Sequence, residues 1–193
     1  MKKYIVPSIL TTLTLMLTGC GRSPARIPLS ELPADYSLEQ AKEDGCVIHE
    51  NGDVTQGKEE FEAFYRATKL GRADEIRLAF YYTLGDPSGY APEYYESVKD
   101  EYPVLYIEDL SFDGDKYTLR VYADGEEYVS NYQYLMKYEG EAESPNALFK
   151  SYVRYVLTND DTVTWEDVLH GLYSSQLGDY IEHKSVCTDL IYE

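Results

Sequence analysis

The sequence predicts an α+β fold: a single domain in which a largely antiparallel sheet, centred on a meander of three strands, is covered by two or three helices. Two observations carry the prediction. First, Asp113-Gly114 and Asp124-Gly125 cut the stretch Pro103 to Tyr138 into three strand-like runs. Asp-Gly between apolar or alternating runs marks a tight hairpin, because the turn needs positive φ and glycine supplies it. Second, runs of helical period with cap residues at their starts flank that stretch on both sides.

Taken in order, Ser37 to Gln40 fits a capping box, with Ser37 as N-cap and Gln40 at N3, and the short helix should stop at Gly45. Val47–Glu50 and Asp53-Val54 then flank Asn51-Gly52, a second hairpin signal. Thr55 to Leu70 reads as a helix whose stripe is Phe61, Phe64, Tyr65 and Thr68, with Gly71 at C′. From Glu75 to Leu84, Ile76, Leu78, Phe80 and Tyr82 alternate with Arg77, Ala79 and Tyr81, as in a strand. Asp86-Pro87-Ser88-Gly89 matches a type I turn, and Pro92 opens a helix of one or two turns through Lys99. Beyond the meander, the β-branched and aromatic content of Ser151–Thr158 favours a strand. Thr164 caps a helix reaching about Ser175 with Leu169, Leu172 and Tyr173 inward, and Ser185–Tyr192 forms a last strand.

The N-terminus carries a different message. Lys2 and Lys3 precede a mostly apolar run, Tyr4 to Thr18, of signal-peptide length and too short to span a bilayer comfortably. It ends at Leu17-Thr18-Gly19-Cys20, which resembles the lipobox of bacterial lipoproteins. The resemblance implies a signal peptide over 1–19, diacylglycerol on the Cys20 thiol and Cys20 as the mature N-terminus. Residues 20–36, with prolines at 24, 28 and 33, read as a flexible tether, and 37–193 as the globular domain. The expected location is the extracytoplasmic face of the cell membrane, held by acyl chains.

Removing residues 1–19 takes away two positive charges and moves the net charge from −18 to −20. Such a chain is repelled by nucleic acid, which is excluded as a partner, and by anionic head groups. Tyrosine stands out, with 21 in the chain. In the run Tyr128 to Tyr138, period two places Tyr128, Tyr132 and Tyr134 on one face, with Met136 and Tyr138. That face is either a stacking platform for a sugar or peptide or a core face with hydroxyls at its rim.

Catalytic signatures are missing: the sequence has no Gly-x-Ser-x-Gly, no Ser-x-x-Lys, no Cys-x-x-Cys and no His-Glu-x-x-His. Glu166 with His170, and Asp179 with His183, are i, i+4 pairs that would suit zinc if they met; solvated polar residues explain them as well. No metal and no cofactor is expected. Cys46 and Cys187 are the pair left over from Cys20, either disulfide-bonded in an oxidising compartment or buried as free thiols.

The order YSLEQAKEDG, NGDV, an acidic-aromatic helix, DEIRLAFYYTLGDP and LSFDGDKYTLRVY resembles, over about residues 36–122, the bacterial lipoprotein family called domain of unknown function 4362. That resemblance implies a cell-surface lipoprotein of Gram-positive type with no defined activity, and it carries over no catalytic residue. The expected function is a noncatalytic binding or accessory module facing an envelope protein, a peptide or a glycan. The alternative is an extracytoplasmic hydrolase using a His/carboxylate site.

Overall fold

The computed structural model describes residues 26–142, 144 and 146–192. Cys20 and the signal segment 1–19 lie outside the described residues. Among those described, nine strands form two sheets with four α-helices, a mixed α+β fold that is largely antiparallel. The expected meander is present as β4 (Val104–Phe112), β5 (Tyr117–Ala123) and β6 (Glu126–Tyr132), but it is one half of a six-stranded sheet rather than the centre of a single one. β1 (Val47–Glu50), β2 (Asp53–Gln56) and β3 (Asp74–Tyr82) complete that sheet in the order β2-β1-β3-β4-β5-β6. Its only parallel pair among the described residues is β1 with β3. β7 (Tyr134–Glu141), β8 (Ser151–Thr158) and β9 (His183–Ile191) form a second, antiparallel sheet.

The local reasons are those read from the sequence. Asn51 and Asp124 adopt positive φ, each followed by a positive-φ glycine, as two-residue hairpin turns require. α1 (Leu38–Glu43) begins with the Ser37/Gln40 capping box, and α4 (Trp165–Tyr173) begins with one formed by Thr164 and Asp167. α2 (Lys58–Lys69) starts three residues later than the periodicity suggested, because Thr55 and Gln56 complete β2. Gly57 makes the break: its φ is 79°, and a Cβ there would sit 2.9 Å from the Val47 Cα. α3 (Pro92–Val98) opens on its proline and buries no residue.

The main core fills the space between the two sheets. Alternation along β3, β4 and β5 directs Ile76, Leu78, Leu110, Phe112, Tyr117 and Leu119 inward. Phe61 and Phe64 of α2 and Leu135, Tyr155 and Leu157 of the second sheet meet them there. On the back of the large sheet a smaller cluster gathers Leu38 and Ala41 of α1 with Cys46, Ile48 and Ala79.

Two expectations are corrected here, and one open alternative is decided. α4 turns Val168 and Gly171 inward, leaving Leu172 and Tyr173 exposed, because only a glycine lets the helix approach the Asp179 carbonyl. The described part of the tether is docked: Leu29 is buried in a 3-10 turn (Leu29–Glu31) packed on β4 and β5, and the Ile27 carbonyl accepts a hydrogen bond from Arg77 at 2.7 Å. Burial of Leu29 and partial burial of Leu32 outweigh the prolines that suggested an extended linker. Of the two readings left open for Cys46 and Cys187, the structure holds the buried free thiols. Cys46 belongs to the cluster behind the large sheet and Cys187 to the core in front of it, so the sheet itself separates the two thiols. Burial raises both thiol pKa values, which keeps them protonated and unreactive.

Candidate functional site

The tyrosine platform does not form. The chain leaves the large sheet after Tyr132 and enters the second sheet at Tyr134, with Gln133 at the crossing. Tyr132 pairs with Tyr117 and is buried, Tyr128 is half exposed on the outer strand β6, and Tyr134 pairs with Thr158 in the other sheet. The unbroken alternation of the run concealed the crossing.

Glu166, His170, Asp179 and His183 likewise do not converge. Among the described residues no three of His, Cys, Asp or Glu are placed to hold a metal ion. The His183 Nδ1–H donates to the Ile181 carbonyl at 2.7 Å, while Asp179 accepts from the Ser174 hydroxyl. His170 lines an open depression of about 340 Å³ with Asp160, Asp167 and Asp179. Asp167 is held below the usual carboxylate range by the Thr164 hydroxyl and amide, and Asp160 by those of Thr162. Both carboxylates are occupied as local caps.

The side chains that do converge lie at one end of the gap between the sheets. On β4 the inward positions read Tyr106, Glu108, Leu110, Phe112, so a carboxylate falls on an apolar face. Glu108 is 5% exposed. Its Oε1 accepts from the Lys184 ammonium of β9 at 2.6 Å, and its Oε2 is buried with no hydrogen-bond partner among the described residues. Leaving such a group unpaired costs about 1–3 kcal/mol. Lys184 also sits 5.6 Å from the centre of the Phe80 ring, a cation–π distance. Phe80, Tyr82, Tyr106, Glu108, Lys184 and Ser185 enclose a cavity of about 320 Å³. Tyr82 and Tyr106 meet edge to face at 6.2 Å. Burial, and then the nearby Glu108 charge, raises the Tyr82 phenol pKa, so it stays a hydroxyl. The site therefore offers an acceptor, an ammonium donor, two phenols and three rings.

His49 stands behind this wall. It pairs with Phe80 across the parallel β1–β3 ladder, its ring stacks on Phe80 at 4.5 Å, and neither ring nitrogen has a hydrogen-bond partner among the described residues. Burial pushes its pKa down to about 4. The folded ring thus stays neutral while the unfolded chain takes up a proton near its ordinary value of 6.5. Between those values the unfolded state binds the extra proton, so stability is full above the unfolded pKa and is lost as pH falls towards the folded one. The shift amounts to about 3 kcal/mol. Urea titrations at about pH 7 and pH 4.5 should show about 2 kcal/mol more loss for the native chain than for His49→Leu. Equal losses would remove His49 as the titrating group.

Other described cavities are of different character. A groove of about 410 Å³ runs between the docked N-terminal segment and the back of the large sheet, lined by Leu32, Pro33, Leu105, Ile107 and Tyr122 among others. On the outer face of the second sheet, the Arg154 guanidinium stacks on Trp165 at 4.6 Å and Tyr152 at 4.8 Å. Burial lowers its pKa. The sequence contained one sign of the Glu108 site, a charge at an inward position of VLYIEDLSF, but its lysine lies 76 residues away on another sheet. Comparison of the chain with protein-family models, with curated proteins and with solved structures finds no significant match in any of the three.

Proposed function

We propose that the protein is a noncatalytic binding or accessory module of the bacterial cell envelope, held at the outer face of the membrane by diacylglycerol on Cys20. Its ligand seat is the cleft between the sheets. The observation that carries the binding reading is Glu108, a buried carboxylate with an unpartnered oxygen on the wall of a cavity lined by tyrosines. Small-ligand sites combine apolar and aromatic walls with a few convergent polar groups, and this cavity has both. The net charge of −18 favours a glycan, peptide or protein partner over nucleic acid.

The anchoring half rests on the Leu17-Thr18-Gly19-Cys20 motif. Cells fed labelled palmitate should yield a labelled, membrane-bound protein, and Cys20→Ala should carry no label and leave the membrane fraction. Label retained in the variant would overturn the anchor. A second reading, an extracytoplasmic hydrolase, draws on His170 and the aspartates around its depression. It requires turnover of ester, amide or glycoside substrates that His170→Ala abolishes, and such turnover would displace the noncatalytic reading.

A further inference from the structure

We infer that the inter-sheet cleft binds a neutral saccharide, an assignment that rests on the reading of the protein as a binding module. The polar centre of the cleft is an ion pair already closed on itself, Glu108 Oε1 to Lys184 Nζ at 2.6 Å. A cationic ligand approaching Glu108 meets the Lys184 ammonium beside it. An anionic ligand approaching Lys184 meets the buried carboxylate and the acidic field of the whole chain. A neutral ligand escapes both penalties.

The pair is nonetheless unfinished. Among the described residues Glu108 Oε2 lacks a donor, and Lys184, 37% exposed, has ammonium protons to spare. A ligand that gives one hydroxyl proton to the carboxylate and takes one hydrogen bond from the ammonium completes both groups at once. Adjacent hydroxyls of a sugar ring have that spacing and that dual character, whereas a peptide amide offers its donor and its acceptor on opposite sides. The walls fit the rest of such a molecule. Tyr106 is 53% exposed and stands at the mouth, with its ring braced edge to face by Tyr82. An exposed, braced ring is a surface for the C–H face of a sugar, and the phenols add hydrogen bonds at its rim. The volume of about 320 Å³ is at the lower end of small-ligand cavities, room for one or two rings of a chain continuing into solvent.

The test is saturation-transfer NMR and calorimetry on the full chain, purified in a detergent without a sugar head group. The probes are maltotriose, cellotriose and chitotriose, with the peptide Gly-Lys-Gly and trigalacturonate as charged comparisons. The expected result is binding of at least one neutral trisaccharide, weakened about tenfold by Glu108→Gln, as for the loss of one charge-assisted hydrogen bond. Tyr106→Ala, at an exposed position that leaves folding intact, should weaken it by a similar factor. Binding that ignores both substitutions overturns the assignment to this cleft. If Gly-Lys-Gly or trigalacturonate binds in place of the sugars, with the same dependence on Glu108 and Tyr106, the saccharide class is overturned and the module reading stands. Silence from all five probes also overturns the saccharide class, whereas the module reading itself falls only to turnover that depends on His170.

Discussion

Phe61→Ala is expected to remove about 4 kcal/mol of folding stability, the middle of the range for a large aromatic deleted from a packed core. The side chain is fully buried. Its ring lies 4.8 Å from that of Tyr155 in the second sheet and 6.2 Å from that of Phe64 on its own helix. The same cluster holds residues from both sheets, so the cavity would open where helix, large sheet and small sheet meet. Neighbours anchored on three elements cannot all relax into it, which is why the loss should exceed the transfer free energy of the ring alone. Urea unfolding followed by circular dichroism gives the value. A loss below about 1 kcal/mol would mean that the site collapses freely and that α2 does not tie the sheets together.

Asp109→Ala is the second large effect, expected at about 3 kcal/mol. Arg77 is 4% exposed at the back of the large sheet, directly opposite Asp109 in the β3–β4 register. Its Nε and Nη2 donate to the two carboxylate oxygens at 2.7 and 2.9 Å, a bidentate fork. Removing the carboxylate leaves a buried guanidinium that no accessible pH neutralises, with the Ile27 carbonyl as its remaining acceptor. Since Asp109 is itself 28% exposed, water can partly replace it, and the effect belongs at the low end for broken buried pairs. The double change Arg77→Met with Asp109→Leu should recover most of the loss, because an apolar pair of similar size avoids the desolvation of both charges. If Asp109→Ala alone were neutral in chemical denaturation, the fork would have no structural role.

Both residues show where sequence reading succeeds and where it stops. The Phe61 stripe followed from helical period, and the Asn51-Gly52, Asp113-Gly114 and Asp124-Gly125 turns followed from glycine's tolerance of positive φ. Local chemistry determines caps and turns, and local chemistry is what a sequence displays. The division into two sheets was not legible, because Tyr128 to Tyr138 alternates without a break and nothing local says that Gln133 leaves one sheet for another. Arg77 stood at an alternating position, and nothing local said that the docked N-terminal segment would cover it. The Glu108 site depends on pairing between strands far apart in the chain, and its one local sign, a carboxylate on an apolar face, is also what a strand end in water looks like.

The docked N-terminal segment also sets a length. If Cys20 carries lipid, as proposed, the anchor lies seven residues before the hydrogen-bonded Ile27, and seven residues of chain span at most about 25 Å. A leash running to Tyr36 would have reached more than twice as far. On that proposal the domain would be confined to a thin layer next to the bilayer, where anionic head groups would push its acidic surface outward and the anchor would pull it back. Ligands would be met close to the membrane plane, and a partner standing far above it would be out of range.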